Sequence, residues 1–193
     1  MAKPKVGILG DGHVGSALAR GVARAGYEVA EVGSERAAIR DTASWADLVV
    51  LAVPFVAIDQ IIEVAGEAIA GKPLVDVTNV LGPNVSLGLA MSGAESLQRR
   101  LPRARVVKAF NAVFAELMAT GSLGGQRLTT FAASDHAEAK DLVLVMAREI
   151  GFDAVDAGPL ANARLLESLG ALNVQLGYAL GMGTQVGFKF MHG

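Results

Sequence analysis

The sequence carries one glycine-rich motif near its start, Gly10-Asp11-Gly12-His13-Val14-Gly15. The motif joins a short apolar run to a segment of helical pattern. In this arrangement Gly10 permits a tight turn, Gly12 lets the backbone approach a pyrophosphate without a Cβ atom, and Gly15 lets the helix pack closely on the strand. The pyrophosphate then faces free N–H groups at the positive end of the helix dipole. At a first strand–helix junction, this motif predicts dinucleotide binding.

Short β-rich runs alternate with helix-length segments along most of the chain. Several runs are continuously apolar, which is typical of strands covered on both faces. The spacing predicts right-handed crossovers and a Rossmann-type, doubly wound, mostly parallel α/β sheet. Only residues 34–47 separate the second and third strands, so we expect a short or degenerate helix there. The predicted strands are 5–9, 28–32, 48–53, 74–78, 105–110, 128–133 and 154–156, and the predicted helices are 14–25, 56–70, 93–100 and 137–150.

The pattern changes after Asp156, where residues 159–182 read as one long helix followed by a tail. A stripe of apolar residues recurs along this helix at three- and four-residue spacing, which predicts either core packing or a subunit interface. We divide the chain into a dinucleotide-binding Rossmann domain, 1–156, and a C-terminal helix and tail, 157–193. The second part is expected to complete the acceptor pocket and a homodimer interface within one compact unit. The stripe consists of Ala161, Leu165, Leu169, Leu172, Leu176 and Leu180.

Composition excludes several classes of site and partner. The chain has no cysteine and three scattered histidines, so we expect no disulfide, no thiolate nucleophile and no metal site. A net charge of −2 and an aromatic fraction of 5% argue against nucleic acid and membrane surfaces as partners. The longest uncharged stretch, 168–188, contains amides and glycines that are poorly suited to hydrocarbon. We therefore expect a cytoplasmic protein with a small-molecule substrate.

The end of the second predicted strand bears on the choice between NADP and NAD. NAD-specific domains usually place an acid there for the ribose 2′-hydroxyl, whereas NADP-specific domains place hydroxyl and basic groups for the 2′-phosphate. Ser34 and Arg36 suit a phosphate, which arginine binds through a planar fork. Glu35 either repels such a phosphate or points to solvent. The sequence favours NADP, with NAD binding and an ordinary charged turn as the alternatives.

Three further strand ends should meet at the same edge of the sheet, where open α/β sheets bind ligands. Val53, Pro54 and Phe55 follow the third strand, and Phe55 packs either against the nicotinamide or in the core. Asn79 and Asn111 follow the fourth and fifth strands. Their amides are suited to a carboxamide or a ring carbonyl, although asparagine is also common in turns.

Two longer motifs carry a family resemblance. They are Val106-Val107-Lys108-Ala109-Phe110-Asn111 and residues 156–169, which read DAGPLANARLLESL. Together with the glycine loop, they resemble the NADPH-dependent deazaflavin (coenzyme F-420) reductases, and they are similar to bacterial dinucleotide-binding proteins and to the cytoplasmic domains of six-transmembrane metalloreductases. The resemblance covers nearly the whole chain.

The resemblance implies a single Rossmann domain that moves hydride between NADPH and a flavin or deazaflavin. NADP is then the cofactor, and coenzyme F-420, FMN or FAD is the exchangeable acceptor. Residues 11–14 would hold the pyrophosphate, Ser34 the 2′-phosphate, and residues 53–55 and 111–113 would line the nicotinamide and acceptor pocket. The predicted cofactor-binding residues are Gly10, Asp11, Gly12, His13, Val14, Gly15, Ser34, Arg36, Val53, Pro54, Phe55, Asn79, Asn111 and Val113.

Two other functions stay open at this point. Lys108 and Asn111 would act as a pair in reducing the keto partner of a β-hydroxyacid if the protein were a dehydrogenase or imine reductase acting on a small carbon substrate, and the alternative is a strand-edge lysine beside a turn asparagine. A nucleotide-binding module without turnover is the other alternative, because a Rossmann fold does not guarantee catalysis. Direct hydride transfer between stacked rings depends on positioning and exclusion of water, so the sequence assigns no catalytic residue.

Overall fold

A seven-stranded sheet runs through the part of the chain that the computed structural model describes, residues 3–80 and 91–191. Helices cover both faces, and β6 and β7 form a separate hairpin. The strands are β1 (Val6–Leu9), β2 (Val29–Val32), β3 (Leu48–Leu51), β4 (Pro73–Asp76), β5 (Arg105–Ala109), β6 (Ser122–Leu123), β7 (Gln126–Arg127), β8 (Thr129–Ala133) and β9 (Asp153–Asp156). The helices are α1 (His13–Arg24), α2 (Arg36–Trp45), α3 (Ile58–Ile69), α4 (Gly93–Arg100), α5 (Ala115–Met118), α6 (Ala137–Ile150) and α7 (Ala163–Val174).

The strand order is β2-β1-β3-β4-β5-β8-β9, and the sheet is parallel except where β8 runs antiparallel to β5. This arrangement confirms the predicted Rossmann-type fold, and the predicted strands agree with the observed ones to within two residues. The central strands β1, β3 and β4 are buried along their whole length, as their continuous apolar runs predict. The carboxyl ends of the parallel strands therefore share one edge of the sheet.

The short connection between β2 and β3 contains a regular helix of ten residues, so it is short but not degenerate. Glu35 caps this helix, α2, because its carboxylate accepts hydrogen bonds from the backbone N–H groups of Ala38 (2.7 Å) and Ala37 (3.0 Å). These two bonds lower the pKa of Glu35 below its ordinary value. Glu35, which lies between the two residues suited to a 2′-phosphate, thus serves as the N-cap of α2.

The C-terminal segment was expected to form one helix over 159–182, and the structure has an uninterrupted helical segment over 160–179 that is made of three types of helical turn and ends three residues early. A 3₁₀ turn at Leu160–Asn162 precedes α7, and a π-helical turn at Gln175–Ala179 follows it. The helix ends there because Leu180 N–H bonds back to the Gln175 carbonyl (2.9 Å) and Gly181 adopts a φ of +70°. Among the described residues, no helix combines the length and the apolarity needed to cross a bilayer.

The leucine stripe of this segment faces away from the sheet. Leu165, Leu172 and Leu180 are 66%, 49% and 68% exposed, whereas Leu166 and Gly170 on the opposite face of α7 are buried. The core interpretation of the stripe is therefore wrong for a single chain. The interface interpretation stays a prediction.

A buried ion cluster ties this segment to the sheet. Lys108, in β5, is fully buried, and its Nζ lies 3.0 Å from Asp76 Oδ2 and 3.2 Å from Glu167 Oε1. Lys108 also donates to the Thr78 carbonyl, which lies just beyond β4. The Glu167 carboxylate in turn accepts hydrogen bonds from the first two N–H groups of α4, at 3.1 and 3.3 Å. One buried cation thus joins β4, β5, α4 and α7.

A second ion pair reinforces the same junction. Arg164 on α7 makes a two-pronged contact with the carboxylate of Glu95 on α4, at 2.7 and 2.8 Å. The Arg164 guanidinium, together with hydrogen bonds from Ser92, lowers the pKa of Glu95 from 4.5 to about 2. Ser92 and Glu95 also form a capping box at the start of α4.

The substitution Lys108→Met tests the importance of the buried cluster. We expect a loss of about 3–5 kcal/mol in the free energy of unfolding, because two carboxylates would remain buried without their cation. The measurement is urea unfolding followed by circular dichroism. Lys189→Met is the control, since Lys189 forms a half-exposed pair with Asp153 (2.7 Å) and should cost less than about 1 kcal/mol. Equal losses in the two variants would contradict a special role for the cluster.

Candidate functional site

The glycine loop lies between β1 and α1, at the carboxyl edge of the sheet. Gly10 has a φ of +121°, and a Cβ atom on it would lie 2.3 Å from the Ala52 carbonyl oxygen. A Cβ atom on Gly15 would lie 1.9 Å from the Gly10 carbonyl oxygen. Packing alone therefore requires these two glycines.

Gly12 differs from them, because it has an ordinary φ of −73° and no described atom within 4 Å of the position of a Cβ atom. Gly12 is also the N-cap of α1, and within the described part of the chain no side chain caps that helix. Open space thus faces unsatisfied N–H groups at the start of a 12-residue helix. The residues present fit a dinucleotide pyrophosphate, as the sequence predicts.

A cavity of about 250 Å³ adjoins the loop on the side of β2, and we call it the β2-side cavity. Its walls come from the glycine loop, the ends of β2 and β3, one residue of α2 and the start of α3. Its lining consists of Gly10, Asp11, Gly12, Gly33, Ser34, Ile39, Ala52, Val53, Pro54, Ala57, Gln60 and Ile61.

On the opposite side of the loop, a second cavity of about 270 Å³ is closed by α7, and we call it the α7-side cavity. Its lining consists of His13, Val14, Asn79, Asn111, Val113, Phe114, Ala115, Glu116, Gly170, Asn173, Val174 and Tyr178. A groove of about 240 Å³ continues from it along α1 and shares His13, Ala115 and Glu116. The same groove reaches Asp11 and Gly12, so the cavities form one cleft that passes the start of α1.

A larger cavity, of about 610 Å³, lies between α3 and the turn after α4. Its lining includes exposed charged residues that pair with their neighbours, such as Arg103 with Glu67. It includes no residue of the glycine loop. We place the functional site at the cleft along α1, because size without convergent binding groups does not define a site.

Asn79 and Asn111 form a hydrogen-bonded pair in the α7-side cavity. Asn111 Nδ2 donates to Asn79 Oδ1 (3.0 Å) and to the Leu166 carbonyl (2.7 Å), while Asn79 Nδ2 donates to the Asn111 carbonyl (2.7 Å). Gly170 allows α7 to approach this pair, since a Cβ atom on it would lie 2.6 Å from Asn79 Oδ1. Both amides are thus held in fixed orientations.

The backbone just before Asn111 is strained. Phe110 has a φ of +63°, which is rare for a large side chain, and it is buried in edge-to-face contact with Phe152 at 5.6 Å between ring centroids. Its N–H group donates to Thr130 Oγ1 (3.2 Å). This left-handed turn brings Asn111 beneath α7, and such strain is typical of functional sites.

The three residues at the end of β2 lie in different environments. Ser34 lines the β2-side cavity, Glu35 caps α2, and Arg36 forms an ion pair with Glu63 of α3 at 2.6 Å. Of Ser34, Glu35 and Arg36, it is therefore Ser34 that lines the β2-side cavity.

Of the predicted binding residues, eleven line the cleft and three do not. Gly15 is buried under the loop, Arg36 pairs with Glu63, and the Phe55 ring packs against Gly93 of α4. The residues that line the cleft are Gly10, Asp11, Gly12, His13, Val14, Ser34, Val53, Pro54, Asn79, Asn111 and Val113.

The C-terminal helix and tail were expected to complete the acceptor pocket, but sequence reasoning named none of the C-terminal residues that line it. Gly170, Asn173, Val174 and Tyr178 all line the α7-side cavity. Asn173 is buried, and its side chain donates to the Ala112 carbonyl (3.0 Å). A signal was present: a glycine and an amide lie three residues apart on the helix face opposite the leucines.

Lys108 lines none of these cavities, because its ammonium group is enclosed in the ion cluster. The Lys108–Asn111 pair that a small-substrate dehydrogenase would use is therefore not assembled in the cleft, which Asn111 lines and Lys108 does not. Within residues 3–80 and 91–191 no group of three or more histidine, aspartate or glutamate side chains could hold a metal ion.

No protein-family model matches the chain. It is 36% identical over 180 residues to metalloreductase STEAP3 of Rattus norvegicus, an alignment that covers 86% of this chain and 36% of that protein. It is 34% identical over 148 residues to the F420-dependent NADP reductase of Methanothermobacter marburgensis, covering 70% of this chain and 65% of that one. The chain therefore spans only part of the length of these relatives.

A crystal structure from Arthrobacter sp. FB24, provisionally described as an F420-dependent NADP reductase, superposes with a TM-score of 0.87. The two sequences are 28% identical, and the superposition covers 98% of this chain and 100% of that one.

Replacing Gly12 with valine tests the assignment of the loop. The side chain would fill the open space without a clash, so we expect dinucleotide binding to be lost while the free energy of unfolding falls by no more than about 1 kcal/mol, the usual cost of a poor N-cap residue. Calorimetric titration with NADPH and urea unfolding provide the two measurements. Gly15→Val is the contrasting variant, and it should be strongly destabilised because its Cβ atom would overlap the Gly10 carbonyl. NADPH binding retained by the Gly12 variant would refute the assignment.

Proposed function

Because the chain belongs to the family of the F420-dependent NADP reductases and STEAP metalloreductases, we propose that it is an NADP(H)-dependent oxidoreductase that transfers hydride to or from a flavin or deazaflavin. This membership confirms the resemblance that the sequence predicts. The observation that carries the proposal is the uncapped start of α1, with one cavity on each side of it. A dinucleotide would cross this point with its adenosine in the β2-side cavity and its nicotinamide in the α7-side cavity.

The Asn79–Asn111 pair is suited to orienting a nicotinamide carboxamide. Both amide hydrogens of Asn111 are already used, so its side-chain oxygen is left to accept a hydrogen bond. Asn79 uses one amide hydrogen and keeps the other. The pair thus offers one acceptor and one donor, which complement the NH₂ and C=O groups of a carboxamide.

The walls of the α7-side cavity supply apolar surface around the reacting rings. Val113, Phe114 and Val174 line the cavity, and Tyr178 meets Phe114 edge to face at 5.5 Å. When bound, NADPH supplies a hydride, which carries two electrons to the acceptor and leaves NADP⁺. The residues of the chain hold the ring in position and exclude water, and these are the main requirements of a direct transfer between two rings.

The size of the α7-side cavity supports a second part of the proposal, namely that the protein is a homodimer. At about 270 Å³ it lies just below the usual range for a single small-molecule site, roughly 300–1,000 Å³. Two stacked ring systems need more enclosing surface. We propose that a second copy of the chain supplies it by packing on the apolar face of α7 and the turn that follows.

The exposed side chains of this face favour such an interface. Leu165, Leu172, Tyr178, Leu180 and Met182 are between 49% and 68% exposed. Monomeric proteins rarely expose a continuous apolar patch of this kind. Tyr178 both belongs to the patch and lines the α7-side cavity, so a homodimer would be built next to the acceptor.

Stopped-flow measurement of NADPH oxidation tests the proposed reaction. We expect hydride transfer to coenzyme F-420 or FMN, slower oxidation of NADH, and no turnover with small keto acids, because Lys108 is enclosed in the ion cluster and does not line the cleft. The Gly12→Val variant should be inactive with every acceptor. Turnover with keto acids alone would contradict the proposal in favour of a small-substrate dehydrogenase. NADPH binding without oxidation by any acceptor would favour a nucleotide-binding module.

Light scattering at micromolar concentration tests the homodimer. We expect a mass about twice the 19.9 kDa of the chain. Leu172→Lys should shift the protein toward the monomer, because it places a charge within the apolar face. Val145→Lys is the matched control: Val145 is also 49% exposed but lies on α6. A wild-type mass near that of one chain would exclude the dimer.

A further inference from the structure

The end of β2 offers few groups to a phosphate on the adenosine ribose. The backbone N–H groups at the start of α2 are natural ligands for an anion, but Glu35 already occupies those of Ala37 and Ala38. Ser34 lines the β2-side cavity and supplies a hydroxyl without charge. Arg36, the first residue of α2, is the cation in this stretch of chain.

Arg36 has a partner in the described structure. Its guanidinium lies 2.6 Å from the carboxylate of Glu63, and the two side chains are 51% and 68% exposed. Glu63 lines the larger cavity between α3 and the turn after α4, and it follows Gln60, which lines the β2-side cavity, by three residues, or slightly less than one helical turn. The ion pair therefore bridges α2 and α3 beside the cavity in which the adenosine is expected.

We infer that Glu63 is a specificity-determining residue, which lowers the affinity for NADP(H) by competing with its 2′-phosphate for Arg36. The inference rests on the proposed function, and it goes beyond it by assigning a role to a residue outside the cleft. An exposed ion pair contributes little free energy, whereas an arginine–phosphate contact is charge-assisted and forked. A bound 2′-phosphate would therefore displace Glu63 from the Arg36 guanidinium or share the guanidinium with it. The free energy needed to break the ion pair would reduce the apparent affinity for NADP(H).

The competition affects the two cofactors differently. NADH has a hydroxyl at the ribose 2′ position and does not need Arg36, so the ion pair would remain intact when NADH binds. The difference in affinity between NADPH and NADH is then smaller than Ser34 and Arg36 alone would produce. Glu63, rather than Glu35 beside the serine, would set this difference.

Calorimetric titration of NADPH and NADH into four variants tests the inference. Glu63→Gln should tighten NADPH binding about two- to fivefold, the factor that corresponds to loss of an exposed ion pair, and leave NADH binding unchanged. Arg36→Ala should weaken NADPH binding about tenfold or more. Adding Glu63→Gln to Arg36→Ala should have no further effect, because Glu63 acts through the arginine.

Glu67→Gln is the matched control. Glu67 lies on the same helix and pairs with Arg103 in the same way, so the change in net charge is identical. An equal gain in this control would overturn the inference in favour of a long-range charge effect. A gain from Glu63→Gln that persists without Arg36 would also overturn it, in favour of direct repulsion between Glu63 and the phosphate.

The result for wild type separates this inference from the proposed function. If wild type binds NADPH and Glu63→Gln has the same affinity, the inference is wrong and the proposed function stands. If wild type binds neither nucleotide, both are wrong.

Discussion

The ammonium group of Lys108 is buried completely, and an interior cation has to be neutralised within the protein. Asp76 at the end of β4 and Glu167 in α7 provide the two carboxylates. Since Glu167 also binds the N–H groups at the start of α4, the position of that helix depends on the same charge. The sheet alone would form a Rossmann core, but the cluster determines how the helices beyond β4 and β5 attach to it.

The nicotinamide side of the cleft follows from this attachment. Held by Glu167, α7 brings Gly170 so close to the Asn79–Asn111 pair that no side chain could be accommodated there. The strained backbone of Phe110 directs the chain toward the same point from the sheet. Each amide is then fixed by its neighbours, which is the rigid support that a direct hydride transfer requires. Glu167, which binds the buried cation, and Gly170, which contacts the asparagine pair, thus lie less than one turn apart on α7.

The parts of the molecule that were predictable are those encoded locally. The apolar runs and the spacing of Gly10, Gly12 and Gly15 indicate the strands and the loop, because their physical reasons lie within a few residues. The C-terminal helix was expected at the acceptor pocket, but the residues that α7 brings there were not predictable in this way, since its attachment depends on an ion pair between Lys108 and Glu167. The spacing of the leucines predicted a helix, but it did not predict whether the leucines face the sheet or the solvent. At the end of β2, the residue types suggested a phosphate site, but only the folded structure shows that Glu35 caps α2 and that Arg36 pairs with Glu63.

The buried cluster also has a consequence for the order in which the protein folds during synthesis. The ribosome makes Asp76 and Lys108 well before Glu167, so the β4–β5 pair emerges with one carboxylate available to the buried cation. The α4 helix likewise emerges before the glutamate that binds its first N–H groups. Until α7 leaves the exit tunnel, Lys108 has Asp76 as its carboxylate partner but not Glu167, and the first N–H groups of α4 lack their acceptor. The nascent chain can therefore form the glycine loop and β1–β3 early, whereas the acceptor side has to wait until α7 has been made.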